Sequence, residues 1–192
     1  MVEGKMDSDQ ENVKQKLKEC YAQRAIQFGQ FTLASGKQSN YYIDSKRVLF
    51  NSEAISLLGE CLYYASVDEP VQALGGLEIG AIPMATAAIM SYHRHGKMME
   101  GFFVRKQAKD HGTQKRVEGR ISANDSVIII DDVLTTGESV IQAITEVEKI
   151  GAKVKRVISV VDRLQGARER LIGYDFRPIF TIRDFGIEPL KD

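Results

Sequence analysis

Residues Val127-Ile128-Ile129-Ile130 form an unbroken β-branched run that ends in Asp131-Asp132 and passes through Val133-Leu134-Thr135-Thr136-Gly137-Glu138-Ser139 into an apolar-periodic segment, Val140 to Ile150. A strand without polar alternation must be covered on both faces, and a strand running straight into a helix is the repeating unit of a parallel sheet. The pattern recurs along the chain. Val71 to Leu74, ending in Gly75-Gly76, reads as a short strand, and Pro83 to Tyr92 as a helix apolar nearly all round and hence mostly buried. Phe102 to Val104, Val154 to Val161 and Ile179 to Ile182 read as further strands, with Gly151 stopping the helix before the second and a short helix, Leu164 to Ile172, before the last. The expected fold is therefore α/β, a mostly parallel sheet flanked by helices.

Ahead of this region, Ser8 is placed to cap an amphipathic helix through Val13, Leu17, Cys20, Tyr21 and Ile26, running to about Gln27, a lid or flank rather than a chemical site. Phe31 to Leu33, the turn-prone Ser35-Gly36-Lys37 and Asn40 to Asp44 read as short strands joined by a glycine turn, and Ser52 starts a second amphipathic helix through Ile55, Leu58, Leu62 and Ala65. No repeat or proline-rich linker interrupts the chain, so it divides only into an N-terminal helix and flap, 1–50, and an α/β core, 51–192, forming one functional domain. The 26 Lys and Arg balance 26 Asp and Glu, which excludes a uniformly basic nucleic-acid binder. Cys20 and Cys61 match no metal-ligand spacing and read as buried free thiols of a reducing compartment. No apolar stretch approaches the ~18 residues of a membrane span, and the polar start MVEGKMDSDQ lacks the apolar core of a signal peptide, so the expectation is a cytoplasmic protein with neither nucleic acid nor membrane as partner.

The chemistry concentrates in two segments. At the end of the central strand, Asp131 and Asp132 sit where open α/β sheets bind ligands, beside a turn whose backbone N–H groups and hydroxyls (Thr135, Thr136, Ser139) suit an anion. Gly137 permits a close backbone approach, and the carboxylates suit sugar hydroxyls or a hard cation such as Mg²⁺. The segment is neither a Walker loop nor a dinucleotide turn. The second segment, Arg105-Lys106-Gln107-Ala108-Lys109-Asp110-His111-Gly112 and on to Arg120, shows no apolar periodicity and reads as a long loop whose cations could converge on an anion. The neutral total hides this polarity: residues 105–120 hold six Lys and Arg against two acids, and residues 121–148 hold six acids and no Lys or Arg. His93 and His95, beside Arg94 and Lys97 at a helix end, are too few and too cationic in context for a metal site and fit dipole interactions better.

The first segment resembles, along its whole length, the 5-phosphoribosyl 1-diphosphate signature of the type I phosphoribosyltransferases. The resemblance implies that family's fold, with an N-terminal hood, and donor-binding roles for Asp131, Asp132, Val133, Leu134, Thr135, Thr136, Gly137, Glu138 and Ser139: ribose hydroxyls on the acidic pair and the 5-phosphate on the turn amides. The Arg-Lys-x-x-Lys-x-His-Gly loop is similar to the mobile loop of the orotate phosphoribosyltransferases. That likeness implies a homodimer in which the loop closes over the neighbouring subunit's site, with Lys109 and His111 catalytic at the diphosphate and Arg105 and Lys106 holding it. Phe28-Gly29-x-Phe31-Thr32-Leu33-x-Ser35-Gly36-x-x-Ser39-x-Tyr41-Tyr42 resembles the family's N-terminal segment near the pyrimidine, although Tyr41 and Tyr42 also fit a buried aromatic hairpin. Val161-Asp162-Arg163 matches its strand-end arginine, which implies that Arg163 binds the orotate carboxylate, with Thr135 on the base; a guanidinium fork suits a planar carboxylate.

The activity implied is Mg²⁺-dependent displacement of diphosphate by N1 of orotate, giving orotidine 5′-monophosphate in pyrimidine synthesis, with the ion riding mainly on substrate and Asp131 or Asp132 as its protein ligands. Many members carry Lys where this chain has Ala34, and Tyr-Lys where it has Glu78-Ile79; backbone amides of the glycine-rich loop Gly75 to Gly80 can serve the donor instead. Two alternatives share the fold. Arg163 and the aromatic flap argue against a phosphoribosyltransferase for purines, which lack the carboxylate, and the complete loop with Lys109 and His111 argues against a regulator without turnover.

Overall fold

The computed structural model describes residues 3–32, 38–107 and 115–189. Helix α1 (Glu3–Cys20) starts before Ser8, which therefore lies inside the helix rather than at its cap. It also stops short of Gln27: a π-helical turn, Tyr21–Ala25, follows, and Ile26 is already extended. The cause is strand pairing. β1 (Ile26–Thr32) and β2 (Gln38–Ile43) form an antiparallel ribbon with Ile26 opposite Ile43, so ribbon hydrogen bonds replace the last helical turns. Within β2, Ser39, Tyr41 and Ile43 turn inward and alternate with exposed residues. The expected turn at Ser35 to Lys37 lies outside the described residues. After the single turn α2 (Lys46–Leu49) comes α3 (Ser52–Ser66), which starts at Ser52 as expected and is capped by Asn51, whose side-chain oxygen accepts from Ala54 N at 3.0 Å.

The remaining elements are β3 (Ala73–Leu77), α4 (Ala81–Arg94), β4 (Glu100–Val104), β5 (Val117–Gly119), β6 (Ser126–Leu134), α5 (Glu138–Lys149), β7 (Lys153–Asp162), α6 (Ala167–Arg170) and β8 (Asp175–Thr181), closed by a 3-10 turn at Ile182–Phe185. The strands form one sheet in the order β5-β4-β3-β6-β7-β8, parallel except for β5. Three expectations are corrected. β3 takes in both glycines, because a Cβ at Gly76 would lie 2.0 Å from the Ile130 carbonyl oxygen and only glycine lets the central strands approach this closely. The helix expected over Leu164 to Ile172 is one turn, since Leu164 (φ 56°) and Gly166 (φ 93°) hold the chain out of helix until Ala167. β5, too short to show alternation, lies in what reads as loop.

Alternation along β6 divides the core. Ile128 and Ile130 pack with Leu17, Leu58, Leu62, Met84 and Ala88 beneath α1, α3 and α4, whereas Val127 and Ile129 pack with Val140, Ile144 and Val147 of α5. Helix α4 is buried on one face only. Its outer face carries Ile82 and Met90, the latter 57% exposed, so the helix is less buried than its composition suggests. Cys61 is buried, which pushes its thiol up to about 12, and Cys20 is half-buried with its thiol also raised by burial; both are free.

Candidate active site

The chain leaves β3 through α4 towards β4 on one side, and leaves β6 through α5 towards β7 on the other, so the strand order reverses between β3 and β6. Such a switch point opens a crevice at the carboxyl ends of the strands. Here it can be followed residue by residue. β3 and β6 pair only from Ala73–Val127 to Gly75–Ile129, whereas β6 stays paired with β7 as far as Leu134 and Asp162. The edge of β6 beyond Ile130, against whose carbonyl Gly76 still packs, is thus left open on the β3 side.

Asp131 and Asp132 lie at this open edge, inside β6 rather than after it, because pairing with β7 carries the strand on to Leu134. Strand alternation sends them to opposite faces. Asp131 turns towards α5, where its Oδ2 accepts from Ser139 Oγ at 2.5 Å and its Oδ1 from Asp132 N at 2.9 Å. Burial, with the neighbouring Asp132 charge second, holds the Asp131 carboxyl well above the ordinary carboxylate range. Asp132 turns towards α4 and leaves no space over Gly80, where an added Cβ would come within 2.9 Å of the carboxylate carbon. Among the described residues no three His, Cys, Asp or Glu side chains group into a metal cage. Two hard carboxylates at one edge nevertheless suit Mg²⁺, which takes one or two protein oxygens and completes its shell from substrate and water.

The turn after β6 forms the anion side of the crevice. Gly137 precedes α5 in the left-handed region (φ 79°, ψ 10°), where a side chain would be strained, and no side chain caps the helix. Neither Thr136 nor Ser139 therefore acts as a cap, and the first N–H groups of α5 remain available to an anion. Ser139 donates its hydroxyl hydrogen bond to Asp131, so its placement serves the acidic pair. Val133 and Leu134 belong to β6, Leu134 fully buried; Thr135 is half-buried, and Thr136 and Glu138 are exposed.

Opposite lie the β3–α4 connection and the stem of the basic loop. The Glu78–Ile79 peptide is cis; Glu78 N donates to Val104 O (2.8 Å), and Glu78 Oε1 accepts from Lys106 N (2.8 Å), tying this connection to the stem. The segment runs between β4 and β5, which pair antiparallel with Val104 opposite Val117. Two of its cations are engaged within the fold: Arg116 donates to the Arg105 and Lys106 carbonyls and pairs with Glu146 at 2.9 Å, and Arg105 faces Glu118 at 3.7 Å. Lys106 is exposed. Lys109 and His111, like Ala34, lie outside the described residues.

Arg163 follows β7 directly, and its backbone N donates to Leu134 O at 2.9 Å, which sets it beside the anion turn. Only 6% of it is exposed. Its Nε donates to Tyr41 Oη (3.1 Å), its guanidinium lies 4.7 Å from the Tyr41 ring centre, and its buried Nη2 has no hydrogen-bond partner. Tyr41 is buried, as in an aromatic hairpin core, while Tyr42 lies at a tilt with its ring centre 5.7 Å from that of Phe31, on the exposed side of the ribbon. The Tyr41 contact and the closeness of Asp132 to Gly80 escape sequence reading; the run of glycines before α4 hints only at the second. His95 lies away from this crevice, bonded through Nε2 to Glu60 (2.7 Å) and stacked on Tyr63, so a side-chain pair rather than the helix dipole accounts for it.

The family model for the phosphoribosyl transferase domain matches residues 72–187. The chain is 41% identical over 161 residues to the orotate phosphoribosyltransferase of Methanocaldococcus jannaschii, covering 83% of this chain and 88% of that one. Among solved structures, the orotate phosphoribosyltransferase of Mycobacterium tuberculosis in complex with Fe(III) dicitrate superposes with a TM-score of 0.81 at 33% identity over 91% of this chain and 99% of that one. The same enzyme in complex with 5-phospho-α-D-ribosyl 1-diphosphate gives 0.77 at 30% identity over 91% and 99%.

Proposed function

The chain belongs to the phosphoribosyltransferase family, within it to the orotate phosphoribosyltransferases of pyrimidine biosynthesis, and we propose that the crevice between β3 and β6 is where it performs their reaction. N1 of orotate forms a bond to C1′ of 5-phosphoribosyl 1-diphosphate as the C1′–oxygen bond to diphosphate breaks with its electron pair. The observation that carries this reading is the buried, unpaired corner of Arg163 beside an uncapped helix start and two carboxylates. A cationic fork, an anion cradle and hydroxyl acceptors in one opening fit a carboxylated base, a phosphate and a ribose.

Each role follows from that placement. Asp131 and Asp132 accept the ribose hydroxyls, with Ser139 orienting the first. The N–H groups from Thr135 to Ser139 hold the 5-phosphate, with Val133 and Leu134 carrying the turn into position. Thr135 and Arg163 hold the base. Lys106, Lys109 and His111 meet the diphosphate, and Arg105 supports them from the stem; fixed positive charge there stabilises the leaving group as its charge develops. Asp131 or Asp132 would hold Mg²⁺ together with substrate oxygens, and the ion would supply further neutralisation of that charge.

The same reading makes residues 1–50 a hood over the base and 51–192 the core, although Leu17 and Tyr21 of the first part are packed into the core. It also makes the protein a cytoplasmic homodimer whose loops cross to the partner's site. The exposed Ile79, Ile82, Met90 and Met98 support the dimer, because they leave apolar surface next to Gly80 for a second copy to cover. No helix among the described residues is long and apolar enough to cross a membrane. The test is diphosphate release from the donor with Mg²⁺ and either orotate, hypoxanthine or adenine. Release with orotate alone, abolished by a chelator, is expected; release only with a purine, or binding of the donor without release on any base, would overturn the reading.

A further inference from the structure

A buried guanidinium needs either an anion or an arrangement that tolerates its absence, because an unpaired buried charge costs several kcal/mol. Arg163 has no acidic partner among the described residues. The nearest candidate in sequence, Asp162, is fully buried but directed elsewhere: its Oδ1 accepts from Leu164 N at 2.8 Å and its Oδ2 pairs with Arg168 Nε at 3.3 Å. Arg163 is held instead by one residue of the N-terminal ribbon. Tyr41 accepts the Nε–H hydrogen bond on its hydroxyl and lays its ring against the guanidinium, a contact that spans 122 positions of sequence. Tyr41 is itself fixed, because Ser39 Oγ donates to Tyr41 O at 2.6 Å and accepts from Tyr41 N at 3.3 Å, and the ring is wholly buried. One edge of the fork is therefore occupied by a rigid neutral acceptor, and Nη2 is left over.

We propose that Tyr41 is a positioning residue for base recognition: by occupying Nε it sets the guanidinium plane so that Nη2 meets the carboxylate of the base. The inference rests on the assignment of Arg163 to that carboxylate. A phenol suits the task better than an acid would. A carboxylate at position 41 would neutralise Arg163 and compete with the ligand, whereas a hydroxyl orients the fork and leaves its charge for the incoming anion. The ribbon thereby reports on the base through Arg163.

The experiment compares steady-state constants for wild type, Tyr41→Phe, Arg163→Ala and the double variant, together with their melting temperatures. Tyr41→Phe keeps the buried ring and removes only the acceptor. It should raise the orotate KM about 10-fold, as loss of one hydrogen bond to a charged group does, and leave the donor KM and kcat within about two-fold. In the Arg163→Ala background the same change should have no further effect on the orotate KM, since a positioning residue acts only through its partner. Three results would overturn the inference: an unchanged orotate KM in Tyr41→Phe when Arg163→Ala raises it, additive effects in the double variant, or equal rises in both KM values with a lowered melting temperature. An Arg163→Ala enzyme with normal orotate KM would instead remove the assignment on which the inference rests.

Discussion

At the scale of single residues, space is as informative as contact. Gly80 has right-handed dihedrals (φ −59°, ψ −38°), which any residue adopts, so nothing in its backbone calls for glycine. What its missing side chain provides is room for the Asp132 carboxylate. Gly80→Ala should therefore separate activity from stability. The melting temperature should stay within about 2 °C of wild type, because alanine relieves some unfolded-state entropy while the new methyl crowds one movable carboxylate. The donor KM should rise or kcat fall by about 10- to 100-fold, since a displacement of the order of 1 Å in a positioning group has that effect. Melting curves and kinetics on the same preparation check it, and a variant that loses stability but keeps its kinetic constants would show that Gly80 serves packing alone.

Between elements, the strongest polar link lies far from the crevice. Arg156 on β7 is 1% exposed and donates to Asp68 beyond the end of α3 (2.5 Å), to the Ala65 carbonyl (2.8 Å) and to Asp175 on β8 (2.7 Å). The Arg156 guanidinium, with Arg177 helping, holds the Asp68 carboxyl down to about 2 from an ordinary 3.8. A carboxyl depressed in the folded chain stabilises above its unfolded pKa, and that contribution disappears as pH falls from 3.8 towards 2. Asp68→Asn should accordingly melt about 2–4 °C below wild type at pH 7, a discounted figure because Asp68 is partly exposed, with the gap closing as pH falls below about 4. Thermal melts across that range check the sign. None of this network is legible in sequence, where Asp68, Arg156 and Asp175 look like three unrelated surface charges. The parallel sheet is legible, because β6 and β7 carry their burial in composition. β5 is not, since its three residues fall between charged neighbours, and the end of α1 is not, since pairing of Ile26 with Ile43 overrides a helical pattern. The acidic pair and its turn are legible because their chemistry is contiguous; the Tyr41–Arg163 contact is not, because only the fold brings it together.

For the whole molecule the question is whether a site is completed within one chain or between two. The stem of the basic segment is tied down by Glu78 and Arg116, while the outer face of α4, continuous with the Ile79–Gly80 corner, presents Ile82 and Met90 to solvent beside Met98, which is 87% exposed. An apolar face next to the crevice suits isologous pairing, and the proposed exchange would carry each loop to the other copy's acidic strand. A mixing experiment distinguishes the two arrangements. Lys109→Ala removes the loop cation and Asp131→Asn the carboxylate, and each variant alone should be nearly inactive. Unfolded and refolded together in equal amounts, they form heterodimers in half of the pairs, and each heterodimer contains one intact site if loops are exchanged. Recovery to about a quarter of wild-type activity is then expected by this counting of symmetric dimers. If each loop serves its own chain, every site in the mixture carries one defect and activity stays at the level of the single variants. Asp131 lies within β6 and turns towards α5, so its substitution leaves the outer face of α4 untouched, and a recovered rate then requires that the other copy supply the loop.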